Sequence, residues 1–192
     1  MLRLITHAYT RQVPNTDASG WQLAEIGQQQ ALALARQPFW QGVDRVLLSR
    51  EPKTGLTVEP LLHSRPLPVH TDARFDELRR PPQWTEDYAG RVAAVFAQPD
   101  ASIGGWGPAA PALARFRQAV EEWTGRYPEE SLALVGHGLT FSLYRAHLLG
   151  QARVRLEDWQ ALPFAAVAAV EDGALVEDFA VPAGVPRVER GG

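Results

Sequence analysis

Short apolar runs alternate along the chain with longer segments in which apolar residues recur every three or four positions. Runs typical of strands occupy residues 2–8, 44–49, 67–70 and 132–138. Helical spacing, with apolar residues on one face, extends over residues 23–34, 52–61, 113–123 and 139–149. This alternation predicts βαβ units around a mainly parallel sheet, rather than a helix bundle or a β-sandwich.

The alternation is interrupted in the middle of the chain. Residues 79–82 read Arg-Arg-Pro-Pro, a stiff turn, and are followed by a predicted helix over 86–98 and a loop over 99–108. We expect residues 79–108 to form a cap-like insertion over the sheet. The length of the chain suits one domain, so we predict a single domain over residues 1–192.

A hairpin is predicted near the end of the chain. Two strand-like runs, 164–170 and 174–179, flank Asp172-Gly173, which is a strong turn signal. Together with the preceding βαβ units, this hairpin completes the predicted fold. We expect a three-layer α/β/α architecture with a mainly parallel central sheet.

Composition narrows the class of protein. The net charge of -3 and the absence of long basic runs do not indicate a positively charged surface that would bind nucleic acid or an anionic membrane. Cysteine is absent, which excludes disulfides, thiolate zinc sites and cysteine nucleophiles. Only residues 2–5 form an apolar run at the start, too short for a signal peptide or a membrane span. We therefore expect a cytoplasmic protein.

Two histidines follow predicted strands and are the main candidates for chemistry. His7 ends the first strand, and His137 ends the strand near residue 135. Because the carboxyl ends of parallel strands line the ligand crevice of an open α/β sheet, the two side chains could meet. His7 could be a nucleophile toward phosphorus, or simply a hydrogen-bonded residue at a strand end. Beside His137, Gly138 allows close backbone approach, and the following helix would direct N–H groups at an anion.

Five segments together resemble the histidine phosphatase superfamily, also called phosphoglycerate mutase-like, over nearly the whole chain. Thr6-His7-Ala8 corresponds to the family's Arg-His-Gly, and Gly27-Gln28-Gln29-Gln30-Ala31 corresponds to its Gly-x-x-Gln-Ala. Residues 48–58 correspond to its Ser-Ser-Pro-x-x-Arg-Ala-x-x-Thr-Ala. Glu77 corresponds to its acidic residue after the third strand, and Gly136-His137-Gly138 to its Ser-His-Gly. The resemblance implies the phosphoglycerate mutase-like α/β/α fold.

The resemblance also implies roles for individual residues. His7 corresponds to the nucleophile, Glu77 to the proton donor to the leaving oxygen, and His137 to a stabiliser of the transferring phosphoryl group. The implied substrate is a small phosphate monoester, and neither a metal nor another cofactor is implied. Such chemistry is reasonable physically, since a phosphate monoester needs oriented donors and positive charge around it.

The chain departs from the family pattern at three positions. Thr6 stands where the family has arginine, Ala8 where it has glycine, and Lys53 where it has its second arginine. Lysine keeps the charge but lacks the planar fork of a guanidinium. Lys53 is the only lysine in the chain, and it could bind phosphate or lie solvated at a helix start.

Several residues are candidates for substrate binding. Compensation for the lost arginine could come from Arg11, Arg50 or Arg80, and we favour Arg80 because it follows Glu77 closely. The predicted substrate-binding set is Thr6, Arg11, Lys53, Arg80 and Gly138. Trp106 could line the cap side of the cleft or fill a hydrophobic gap. The remaining histidines are interpreted as structural: His63, His70 and His147.

We consider four functions for a chain with these motifs. The favoured one is a metal-independent phosphatase acting through phosphohistidine on His7, with a small phosphorylated substrate as its partner. The alternative is a catalytically weakened phosphate-binding or regulatory protein, and a mutase is less favoured because the chain is short. A metallohydrolase lacks a His-x-His or His-Glu-x-x-His motif. The sequence leaves the substrate open, and also the oligomeric state, for which a homodimer is one outcome.

Overall fold

Six strands form one mixed sheet in the computed structural model, which describes residues 1–188. The strands are β1 Leu2–Thr6, β2 Arg45–Leu48, β3 Val69–Thr71, β4 Leu132–Gly136, β5 Val167–Glu171 and β6 Ala174–Ala180. Their order across the sheet is β3-β2-β4-β1-β5-β6. Strands β1 to β4 are parallel, whereas β5 is antiparallel to β1 and to β6. The predicted mainly parallel sheet is therefore confirmed.

Helices connect and cover the strands. They are α1 Glu25–Ala35, α2 Pro52–Ser64, α3 Tyr88–Ala97, α4 Ala109–Arg126, α5 Gly138–Leu148 and α6 Leu156–Ala161. Short 3-10 helices occur at Ala18–Gly20, Pro38–Gly42 and Ala73–Phe75. The sequence did not predict α6, because its six residues are too few to show a helical period. Residues 189–192 of the predicted domain lie outside the described residues.

The two faces of the sheet carry separate apolar clusters. Leu4 and Leu134 pack with Phe116 of α4 and Phe141 of α5 on one face. On the other face, the next residue of β1, Ile5, belongs to a cluster with residues of α1 and α2. Side chains of a strand alternate between faces, so these strands bury both sides, as parallel strands in α/β proteins do. The result is a three-layer α/β/α arrangement.

Segment 79–108 has an apolar cluster of its own. Val92 and Val95 of α3 pack with Trp106, with Leu139 of α5 and with Trp159 of α6. This packing fixes the segment against the amino-terminal end of α5. The segment therefore lies at the edge of the sheet where β4 ends.

Residues Gly27 and Gln30 of α1 hold the loop that follows β1. The Cβ of any larger residue at Gly27 would lie 2.0 Å from the Tyr9 carbonyl oxygen. Gln30 is fully buried, and its Oε1 accepts a hydrogen bond from Tyr9 N at 2.8 Å. The Gly-x-x-Gln part of the sequence pattern therefore fixes the main chain directly after His7.

Replacing Gly27 by alanine should destabilise the fold. The added methyl group clashes with the main chain of Tyr9, and we expect a loss of about 1–3 kcal/mol in the free energy of unfolding. Gly55 of α2 is a matched control, because a Cβ there meets nothing closer than 4.0 Å. Gly55→Ala should stabilise the helix by about 0.5–1 kcal/mol. Urea unfolding of both variants checks the pair, and equal effects would contradict the close approach at Gly27.

Candidate active site

His7 and His137 lie side by side at the carboxyl edge of the sheet. Strands β1 and β4 are neighbours in register, with Thr6 opposite Gly136, so each histidine directly follows a paired residue. The His7 main-chain N donates to Gly136 O at 2.9 Å. The two imidazole centroids are 5.4 Å apart, with the rings tilted by 59°. The structure thus brings together the two histidines that the sequence singled out.

The hydrogen bond of the His7 ring selects its tautomer. Nδ1 lies 2.8 Å from the Ala8 carbonyl oxygen. A carbonyl only accepts hydrogen bonds, so Nδ1 carries the hydrogen and the neutral ring has its lone pair on Nε2. The Ala8 N–H donates in turn to Thr57 Oγ1 of α2 at 2.9 Å. The ring is therefore oriented and in the form needed for nucleophilic attack through Nε2.

His137 is completely buried and neutral. Burial lowers its pKa to about 3; Glu77 and Asp76 oppose this shift, and Lys53 and Arg80 add to it. Its Nε2 lies 2.8 Å from Ser49 Oγ, at the end of β2. His137 therefore acts in the free protein as an oriented hydrogen-bonding group and not as an imidazolium.

The depressed pKa of His137 predicts acid lability in a specific pH window. Below about pH 6.5 the unfolded chain binds a proton here that the folded chain does not, down to about pH 3. Stability is thus fully present above this window and is lost as pH falls, by up to about 1.4 kcal/mol per pH unit. Urea unfolding of wild type and His137→Gln between about pH 7 and 5 checks this. Parallel stability curves for the two proteins would contradict it.

Lys53 is buried in the first turn of α2. Its Nζ donates to the Ala18 carbonyl at 2.7 Å and forms an ion pair with Glu51. The interpretation of Lys53 as a solvated helix-start residue is therefore wrong. Glu51 was missed in the sequence, although one signal was present. It lies two residues before the only lysine, at a strand-to-helix junction that faces the ligand edge of the sheet.

Glu77 binds the amino terminus of α5. Its two carboxylate oxygens accept hydrogen bonds from the main-chain N–H groups of Leu78, Leu139 and Thr140, at 2.9, 3.0 and 3.0 Å. The sequence predicted that the N–H groups following Gly138 would face a bound anion; in this structure they donate to the Glu77 carboxyl oxygens.

Arg115 of α4, which was not predicted as a site residue, fixes the segment that carries Glu77. Its guanidinium donates to the carbonyl oxygens of Asp76 and Glu77, at 2.5 and 3.0 Å, and also to that of Arg74. Arg115 is one of several arginines in the chain, and its position on an amphipathic helix gave no sequence signal. Its role depends on the packing of α4 against residues 74–77.

Arg80 lies over two aromatic rings at the cleft. Its guanidinium carbon is 5.6 Å from the Tyr88 ring centroid and 5.5 Å from that of Trp106, and it hydrogen-bonds the Tyr88 hydroxyl. Trp106 is only 2% exposed, so it fills the hydrophobic gap, and the Arg80 guanidinium lies over its ring. Of the three arginines considered as compensation, Arg50 and Arg80 both line the cleft, and the Arg50 guanidinium is paired there with Asp76.

Of the five predicted substrate-binding residues, only Arg80 lines the cleft; Lys53 and Gly138 lie behind its wall, and Thr6 and Arg11 are placed elsewhere. The Thr6 hydroxyl is buried, donates to Pro163 O at 2.8 Å and accepts from Ala166 N at 2.9 Å. It connects β1 to the segment before β5, so its role here is structural. Arg11 has an exposed side chain on the loop after β1 and is not among the residues that line the cleft.

A cleft of about 920 Å³ is lined by Glu51, Glu77 and Arg80 but by neither histidine. Glu51 connects this cleft to His137, since its Oε1 lies 3.6 Å from His137 Nε2. Its walls combine both signs of charge. They include the arginines Arg50, Arg79, Arg80 and Arg115 and the acids Asp17, Glu51, Asp76 and Glu77. Among residues 1–188, no cluster of three or more histidine and acidic side chains is arranged to hold a metal ion.

The family match is consistent with this geometry. The sequence matches the model of the histidine phosphatase superfamily (branch 1) over residues 3–172. The chain belongs to this superfamily. The sequence-based resemblance is therefore confirmed.

Solved structures with the same fold include several phosphatases. The alpha-ribazole phosphatase from Shigella flexneri aligns with a TM-score of 0.72 and 18% identity, over 98% of this superfamily member and 99% of that chain. Mycobacterial glucosyl-3-phosphoglycerate phosphatase Rv2419c, in its complex with VO3, gives 0.72 and 22%, over 94% and 96%. Bacillus stearothermophilus YhfR gives 0.71 and 17%, over 93% and 95%. At these identities the likeness shows the fold alone.

No curated protein matches the sequence of this histidine phosphatase superfamily member at a significant level. Within residues 1–188, none of the helices combines the length and the apolar character that crossing a membrane requires.

Proposed function

We propose that the chain is a phosphatase that hydrolyses a small phosphate monoester through a phosphohistidine on His7. The observation that carries this proposal is the bond from His7 Nδ1 to Ala8 O, which leaves Nε2 as the attacking nitrogen beside buried His137. Membership of the superfamily supports it, as do structural relatives that are themselves named phosphatases.

The proposed reaction has two displacement steps. His7 Nε2 attacks phosphorus and forms a P–N bond while the ester P–O bond breaks. Glu77, which enters this step as the neutral acid, gives its proton to the leaving oxygen. Water then attacks phosphorus, Glu77 accepts a proton from it, and the P–N bond breaks to release inorganic phosphate. Atoms and charges balance over the two steps without a co-reactant other than water.

Positive charge for the phosphoryl group comes from residues other than His137. A phosphate monoester carries about -1.5 to -2 charge near neutral pH. Lys53 and Arg80 are the cations that we assign to this task, since the positive charge of each helps to lower the pKa of His137. His137 contributes an oriented hydrogen bond and a water-free wall.

A second candidate function is a phosphate-binding protein with weakened catalysis. One observation favours it: Lys53, which stands where the family has arginine, is already paired with the buried Glu51 carboxylate. That pairing lowers the net positive charge available to an anion. Such a protein would bind phosphate at the same place but turn over slowly.

Steady-state and rapid-mixing kinetics with p-nitrophenyl phosphate separate the two functions. We expect turnover by the wild-type chain, with an initial burst of p-nitrophenol wherever hydrolysis of the phosphohistidine limits the rate. Phosphate binding without product release would favour the second candidate. Activity that a chelator abolishes and zinc restores would reject both in favour of a metallohydrolase.

A further inference from the structure

Glu51 is a buried carboxylate that contacts three separate parts of the site. It precedes α2, yet its side chain makes no capping hydrogen bond to that helix. Instead Oε2 pairs with Lys53 Nζ, and Oε1 accepts a hydrogen bond from the Glu77 main-chain N at 2.9 Å. The same Oε1 lies 3.6 Å from His137 Nε2. These contacts, and not helix capping, account for a buried negative charge at this position.

The pair that Glu51 forms with Lys53 is almost free of solvent. The exposed fractions of the two side chains are 8% for Glu51 and 3% for Lys53. A buried ammonium group is unfavourable without a compensating charge, and a lysine side chain has too many rotatable bonds to stay in one place unaided. Glu51 supplies both the charge and, together with the Ala18 carbonyl, the position of Nζ.

The geometry of Lys53 leaves one donor for a ligand. An ammonium group has three N–H donors. Within residues 1–188 its acceptors are Ala18 O and Glu51 Oε2, so a third N–H is available to a phosphoryl oxygen. The direction of that third N–H is fixed once the other two are bound. Glu51 therefore determines where Lys53 can act.

We propose that Glu51 is a positioning residue of the phosphoryl-transfer site, which holds Lys53, the main chain of Glu77 and His137 in one arrangement. This inference rests on the proposed function for its catalytic consequence. Glu51 itself carries the wrong charge to bind a phosphate, so it acts through the groups that it holds. Neutralising it should slow turnover without weakening anion binding, a combination that a purely structural residue would not produce.

The kinetic test uses Glu51→Gln, which keeps the shape and removes the charge. We expect kcat to fall by about 10–10²-fold because Lys53 and His137 lose their positions. The inhibition constant of inorganic phosphate should stay unchanged or decrease, because a negative charge has been removed. Glu59→Gln, an exposed change on the same helix, is the matched control and should leave both constants unaltered. Parallel losses of rate and phosphate affinity would overturn the inference.

A second variant distinguishes the positioning role of Glu51 from a loss of folding in Glu51→Gln. Glu51→Asp keeps the charge that compensates Lys53 but shortens the reach to the Glu77 main chain. We expect urea unfolding close to wild type together with a kcat between those of wild type and Glu51→Gln. A wild-type kcat in Glu51→Asp would overturn the inference, since position would then not matter.

A readout without turnover separates this inference from the proposed function. Lys53 is the only lysine, so lysine labelled with carbon-13 at the ε position gives a single side-chain NMR signal. In Glu51→Gln we expect that signal to move and narrow toward that of a mobile lysine, while Glu59→Gln leaves it in place. An unchanged signal would overturn the positioning role. A changed signal in a chain with no phosphatase activity would support the positioning role and reject only the proposed function.

Discussion

Replacing His7 by alanine is expected to lower kcat for p-nitrophenyl phosphate by about 10⁴-fold or more. Alanine has no nitrogen to form the P–N bond, and the remaining groups can only bind the ester and polarise it. The fold should persist, because the His7 side chain is partly exposed and its bond to Ala8 O is local. Turnover measured together with thermal unfolding checks both statements.

A second histidine variant controls for the first. His63 is exposed on α2, and His63→Ala should keep the wild-type kcat. Inorganic phosphate should still bind His7→Ala, because the proposed cations are untouched. Turnover near wild type in His7→Ala would reject His7 as the nucleophile, whatever the other residues do.

Replacing Lys53 by alanine should reduce both phosphate affinity and turnover. The change removes a buried cation next to the proposed phosphoryl site, and removal of one such donor costs about 10²–10³-fold in kcat. This result differs from the one expected for Glu51→Gln, where rate falls and affinity does not. The measurements are kcat and the inhibition constant of inorganic phosphate. An unchanged phosphate affinity would contradict the placement of Lys53 at the site.

Stability must be separated from function in the Lys53 experiment. Lys53→Ala leaves the Glu51 carboxylate buried without its partner, and breaking a buried pair costs about 3–5 kcal/mol. The double variant Glu51→Gln/Lys53→Met removes both charges and should recover much of that loss. It should not recover turnover, since the cation is still missing. Recovery of turnover together with stability would show that Lys53 acts only through folding.

The local hydrophobic pattern was sufficient to predict the strands of this chain and all but one of its α-helices. A hydrophobic period reports which side of a segment is buried, and that property depends on residues close in sequence. The one missed helix, α6, is too short for a period, with Trp159 as its only buried residue. The placement of His7 and His137 after strands followed from the same information.

Contacts of the site were predicted less completely. Thr6 is predicted to bind substrate, but its hydroxyl forms hydrogen bonds with the main chain around residues 163–166. Glu51 and Arg115 were not identified at all, although both contact the Glu77 segment. In each case the contacted segment is distant in sequence, and the only local signal was the closeness of Glu51 to Lys53.

The sequence by itself determined the α/β architecture, the superfamily and the two histidines at strand ends, because each of these depends on local order and spacing. Only the tertiary structure decided that β1 and β4 are adjacent, that Lys53 is buried against Glu51, and that the Glu77 carboxylate binds the start of α5. The physical reason is that the partners of a charged side chain are set by which segments pack together. That packing is a property of the whole fold, whereas hydrophobic period is a property of each segment.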